Sequence, residues 1–236
     1  MTGKKCFLSE PEWAFSLSIR DNVHGVKAIK NQLDLNLSHL STSLVDIRTA
    51  REREDSLGAM KMVLDQALRL RDSIGDVHAE INSMVQWDDL DSCLITRRVS
   101  AYENSPFVLA TWFSERHIAH SVLYSWGIIL QINVIVDSVN SFLAAAGAGI
   151  LSEEFLEEKR RCNRCYAEQI CSSIEYAQQF SPLGATFMAY PMCIAWGQAP
   201  AEWKDWMLHE LNTITGPMTH CYTAPILDWI YSAFTR

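Results

Sequence analysis

From Phe107 to Leu143 the chain reads FVLATWFSERHIAHSVLYSWGIILQINVIVDSVNSFL, with apolar residues on almost every face of a 3.6-residue helix. A helix that is apolar all round has to be enclosed. His120, Gln131 and Asn133 interrupt its most membrane-like part, Ile118 to Val136, and Asp137 comes just after that part; such groups are costly in lipid. The stretch therefore predicts the buried core helix of a soluble protein, over about residues 106–143. Ser105 is placed to cap it, and Pro106 suits a first helical position. Gly147 and Gly149 mark where it ends.

Upstream, Met60, Val63, Ala67, Leu70, Ile74, Val77, Ile81 and Met84 follow alternating steps of three and four residues, which stack them on one helical stripe. Arg69, Arg71, Asp72, Asp76 and Glu80 take the other faces. Val26, Ile29, Leu33, Leu37, Leu40, Leu44 and Ile47 form a second stripe, so a helical hairpin is expected over about 24–87. Downstream, Ser152 opens a helix whose first turn carries Glu153 and Glu154, and Ser181-Pro182-Leu183-Gly184 breaks it. Pro191 interrupts the next helix, Pro200 begins a short one closed by Gly216-Pro217, and another follows Pro225. These helices span about 152–235. No alternating segment persists and no hairpin dipeptide separates paired apolar runs. The expectation is one all-α, multi-helix globular domain around a long buried central helix, without appreciable sheet.

The 236 residues are 48% hydrophobic, enough for a substantial core, and carry a formal charge of −8. That charge repels phosphate at long range, so no direct nucleic-acid binding is expected. The basic run Lys159-Arg160-Arg161, with Arg164, follows Glu153, Glu154, Glu157 and Glu158, which reads as a solvated face. Seven irregularly spaced cysteines (Cys6, Cys93, Cys162, Cys165, Cys171, Cys193 and Cys221) suit buried reduced thiols better than a disulfide framework. The N-terminus lacks the apolar segment of a secretory signal, so secretion is not expected.

Asp88, Asp89 and Asp91 form the sharpest catalytic-looking cluster. Carboxylates so spaced near a helix end can hold Mg²⁺ and through it a diphosphate, as in terpenoid cyclases. The second metal motif such a site requires is missing, because Asn140-Ser141 has no glutamate at the needed distance. His117 and His120, with Glu115 nearby, lack a further ligand at a recognisable offset. Cys162 and Cys165 lack a second pair to complete a tetrahedral site. No metal site and no cofactor are expected. The polar residues of the core helix, Arg116, His120 and Asp137, need partners on neighbouring helices. They could instead line a cavity with Trp112, Trp126, Tyr190 and Trp196.

Between Tyr166 and Trp196 the chain reads YAEQICSSIEYAQQFSPLGATFMAYPMCIAW. With Ala110–Asn133 and Ala67–Trp87, this stretch resembles the helical regulatory region of fungal zinc-cluster (Zn2Cys6) transcription factors over roughly three-quarters of the chain. Arg116 stands where that family tends to have arginine. The six clustered thiolates of the family's DNA-binding domain are not matched. The resemblance implies a transcription regulator or co-regulator in the nucleus without its own DNA-binding domain. It would act through protein partners or a small-molecule effector, in the setting of a fungal secondary-metabolite gene cluster; without the resemblance, a cytoplasmic location is expected. The aromatic residues Trp203, Trp206, Trp229, Tyr231 and Phe234 offer either a partner surface or core. The alternative is a small all-α enzyme or ligand-binding protein of terpenoid or polyketide metabolism, with Asp88, Asp89 and Asp91 as its catalytic set.

Overall fold

The computed structural model describes residues 46–47, 49–50, 52, 55–84, 95–181, 183–215 and 222–232, and backbone alone for 77–84. The stripe from Val26 to Leu44, Trp87, the aspartates Asp88, Asp89 and Asp91, Cys6, Cys93, Cys221, Gly216-Pro217 and Phe234 lie outside those residues. The described chain is mostly helical, as its periodicity predicts. In chain order it runs α1 (Ser56–Met84), β1 (Ile95–Val99), β2 (Leu109–Phe113), α2 (Arg116–Ala145), α3 (Glu153–Ser172), α4 (Ile174–Gln178), α5 (Ala185–Ala195), α6 (Ala201–Thr215) and α7 (Ala224–Ser232).

Helix α2 is the axis of the fold. Its residues from Ile118 to Val136 are buried almost without a break, and α1, α3 and α5 pack around it. By length and composition it could cross a membrane, yet its apolar faces lie against other parts of this chain. The α1 stripe behaves as its spacing requires: Met60, Val63, Ala67, Leu70 and Ile74 are buried and packed toward α2. Leucine- and isoleucine-sized side chains contribute about 1.5–3 kcal/mol each when fully buried, so this seam is a main source of stability. Gly127 marks the close crossing of α2 and α5, where an added Cβ would lie 3.1 Å from the Tyr190 ring. Pro191 sits inside α5 at that crossing.

Both ends of the α2–α3 connection are explained by local chemistry. Gly147 takes φ +72°, and its N–H donates to Ala144 O at 2.9 Å while Ala148 N–H donates to Leu143 O at 2.8 Å. That pair of bonds is a Schellman closure, which satisfies carbonyls the helix end would otherwise leave open. Ser152 then caps α3 by accepting from Phe155 N–H at 3.2 Å, with Glu153 and Glu154 in the first turn.

Four expectations need correction. The segment read as the start of the core helix is instead strand β2, paired antiparallel with β1 from Ile95↔Phe113 to Val99↔Leu109. A short, mainly apolar run such as Leu109–Phe113 has no period to separate strand from helix. Ser105 accordingly caps no helix; its Oγ accepts from Phe107 N–H at 3.1 Å in the connecting turn. The core helix begins at Arg116, in the first exposed turn, so Arg116 is a surface residue rather than a buried one. Finally, Lys159 is not on a solvated face. Its neighbours Arg160 and Arg161 are exposed and paired with Glu153, Glu157 and Glu158, but Lys159 points inward.

Candidate functional site

Asn133 and Asp137 lie four residues apart on α2, and Lys159 and Asn163 lie four apart on α3. Each pair therefore shares one helical face. Because the two helices face each other, the pairs meet as two rungs. Asn133 Nδ2 donates to Asn163 Oδ1 at 2.6 Å, and Lys159 Nζ donates to Asp137 Oδ1. The second rung is asymmetric: the Lys159 side chain is 1% exposed, whereas that of Asp137 is 48% exposed. The first rung continues outward. Asn163 Nδ2 donates to Gln198 Oε1 at 3.2 Å, and Gln198 Nε2 donates to the Tyr231 hydroxyl at 2.7 Å. Three helices, α2, α3 and α7, and the turn between α5 and α6 are thus joined through neutral amides, one phenol and one ion pair.

Burial pushes the Tyr231 phenol above its ordinary range, with the Asp137 charge acting in the same direction and the Gln198 hydrogen bond opposing both. Tyr231 is therefore a neutral strut at physiological pH. Its ring packs so tightly on Gly197 that a Cβ there would lie 2.0 Å from it, so only glycine fits. Of these residues, the sequence marks Asp137 as a pocket candidate, Asn133 as a polar interruption of the core helix and Tyr231 as part of an aromatic partner surface or core. The matched four-residue spacings of Asn133/Asp137 and Lys159/Asn163 were the available signal.

The seven proposed pocket residues fall into several contact sets, with Trp112 and Trp126 joined through Tyr176 and Phe113, whose ring centroids lie 5.2 Å apart. His120 stacks on Tyr124 with ring centroids 4.4 Å apart, Tyr124 lies 5.2 Å from Tyr190, and Tyr190 O–H donates to Gln131 Oε1 at 2.6 Å. Burial, and secondarily Tyr124, push the Tyr190 phenol up. Trp126 is enclosed beside Phe113. Trp112 packs edge-on against Tyr176 and carries the Arg98 guanidinium 4.3 Å above its ring. Trp196 Nε1–H donates to Asp228 Oδ1 at 2.8 Å, with Lys204 over its ring. Arg116 is exposed at the helix start, and Asp137 belongs to the α2–α3 rungs. Two clefts among the described residues lie elsewhere. One of about 310 Å³ is lined by Asp46, Thr49, Ala50, Met62, Val63 and Arg69, and the other lies beside Arg71, Phe155, Glu158 and Arg161. None of the seven lines either.

The ligand-like pairs are engaged locally. His117 Nδ1 lies 3.0 Å from Glu115. Cys162 S–H donates to Glu158 at 3.4 Å, Cys165 accepts from Gln169 at 3.1 Å, and burial pushes the Cys162 and Cys171 thiols up. No group of three or more His, Cys, Asp or Glu side chains that could hold a metal occurs among the described residues.

A second polar locus ties the hairpin to the helices. Glu175, on α4, accepts from Ser100 Oγ and from Ala101 N–H at 3.0 Å. Glu210 on α6 accepts from Gln178, and burial raises its pKa; Glu175 adds to the rise, while the Gln178 bond and His209 oppose it. Of the aromatic residues proposed as a partner surface, Trp203 packs in the core against Phe107, and Trp229 is 68% exposed. Compared with protein-family models, curated proteins and solved structures, the chain matches none.

Proposed function

We propose that this chain is a non-catalytic regulatory protein. It is a helical transcription regulator or co-regulator, similar to the regulatory region of zinc-cluster factors, that works in the nucleus through protein or effector contacts. The observation carrying this reading is how the buried and half-buried polar side chains are used. Lys159, Asp137, Asn133, Asn163, Gln198 and Tyr231 hold helices to one another instead of converging on an opening. Catalytic groups need access to a reacting atom, whereas struts of this kind stabilise a scaffold whose outer surface makes the contacts. Secondary metabolism is the proposed setting, by the same resemblance.

The test compares transcripts and metabolites in the producing organism. Deleting the chain is expected to change transcript levels of a defined gene set, with metabolite changes following from them. An Asp88→Asn/Asp89→Asn/Asp91→Asn variant is expected to leave both unchanged. Loss of a metabolite in that variant with transcripts intact would replace the regulator by an enzyme.

A further inference from the structure

Among the described residues, β1 pairs with β2 alone, which leaves its other edge without a strand. Ser100 N–H donates to Val108 O at 3.0 Å, and the register pairs Arg98 with Ala110 and Thr96 with Trp112. Hydrogen-bonded pairs alternate along an antiparallel ladder, so Thr96 and Arg98 bond to β2. The N–H and C=O groups of Ile95, Arg97 and Val99 consequently point away from it. β2 is the inner strand: the Thr111 and Ser172 hydroxyls meet at 2.8 Å, and Trp112 packs on Tyr176. β1 is the outer strand, with Arg97 and Arg98 exposed and Val99 78% exposed. Neither strand carries an acidic side chain.

The edge is held in place as well as exposed. Glu175 fixes its turn end through Ser100 and Ala101, and the Trp112 ring supports Arg98 on one face of the strand. Arg97 emerges on the other face. A pre-ordered edge loses less entropy when a further strand adds to it.

We propose that the free edge of β1 binds an extended, acidic peptide segment of another protein by strand addition. The charges select the occupant. If β1 paired with a second copy of itself over its full length, antiparallel symmetry would set Arg97 opposite Arg97, and like charges directly opposite destabilise a sheet. Glu or Asp opposite Arg97 and Arg98 reverses that sign. The chain as a whole carries −8, so long-range steering opposes an acidic partner and recognition comes from contacts at the strand itself. This names the partner chemistry for the regulatory reading above and rests on it for its biological setting.

The probe is a fluorescein-labelled ten-residue synthetic peptide with adjacent Glu-Glu pairs set between valines, so that acid groups face both sides of the strand, titrated with the full chain by anisotropy. Saturable binding is expected, with slowed amide hydrogen exchange at Ile95, Arg97 and Val99. A peptide with Lys in place of Glu should bind at least about tenfold more weakly. Val99→Pro removes an outward N–H while sparing the bonds of Thr96 and Arg98 to β2, a position where edge strands tolerate proline. It should weaken binding by about tenfold or more, as should Arg97→Glu/Arg98→Glu; if the proline unfolds the hairpin, the charge reversal and the exchange data decide. Failure to saturate, or equal binding by the native chain and a folded Val99→Pro, would overturn the proposal and leave the arginines as guards against edge pairing. A native dimer lost in Val99→Pro would overturn it in favour of self-pairing. Absent peptide binding with transcripts still dependent on the chain removes the edge proposal alone; binding with transcripts indifferent to the chain removes the regulatory reading alone.

Discussion

The Asp137–Lys159 pair is buried on one side only, and that makes its two truncations unequal. Asp137→Ala leaves an ammonium group 1% exposed without its carboxylate. Stranding one member of a buried pair costs about 3–5 kcal/mol, and the half-exposure of Asp137 points to the lower end, about 3 kcal/mol. Lys159→Met keeps a flexible stem of similar volume, and the remaining carboxylate, already 48% exposed, turns to water. That loss should stay within about 1.5 kcal/mol. In Lys159→Met, adding Asp137→Ala should cost no more than about 0.5 kcal/mol, as for a surface change. For a chain of this length the melting shifts are about 6–12 °C for Asp137→Ala and under about 6 °C for Lys159→Met. Urea unfolding at pH 7, analysed with a shared slope after a two-state check, gives the full double-mutant cycle. The reasoning is refuted if Lys159→Met costs as much as Asp137→Ala, or if the two losses add.

Three further outcomes follow from other parts of the fold. Gly147→Ala forces an L side chain into the left-handed region at φ +72° and should cost about 1–2 kcal/mol in urea unfolding. Arg116→Ala should change stability by no more than about 0.5 kcal/mol, because the side chain is exposed; a loss near 3 kcal/mol would restore the buried reading. Glu210 has a raised folded-state pKa, chiefly from burial, so the native state holds its proton more tightly than the unfolded chain. Its contribution is fully present below the ordinary glutamate value of 4.5 and is lost as pH rises through the folded pKa. Glu210→Gln should flatten the stability profile across that window, measured by melting temperature against pH.

Helix periodicity made α1 legible, since Met60 to Ile74 repeat often enough for spacing alone to pick the buried face. Ser152 and Gly147 were legible for a different reason: a cap and a left-handed residue are local requirements that one side chain meets. The β2 strand was hidden because LATWF, apolar but for Thr111, shows no alternation and lies only a few residues before the longer apolar stretch of α2. Lys159 was hidden by the company it keeps. Its charged neighbours describe a wet surface, while its partner Asp137 lies 22 residues upstream. The aromatic residues Trp112, Trp126, Tyr190 and Trp196 carry no positional information by type, so only tertiary packing distributes them among separate contacts.

The Glu175 tie to Ser100 spans 75 residues of chain, which sets an order of events during synthesis. At roughly 5–20 residues added per second, a hairpin completed at Phe113 waits about 3–12 s before its anchor is made. Through that interval both strand edges are open while an apolar α2 is being added behind them. Two adjacent guanidinium groups on the outer strand are then useful before any partner arrives, because nascent neighbours on the same polysome would meet charge where they would otherwise find a template.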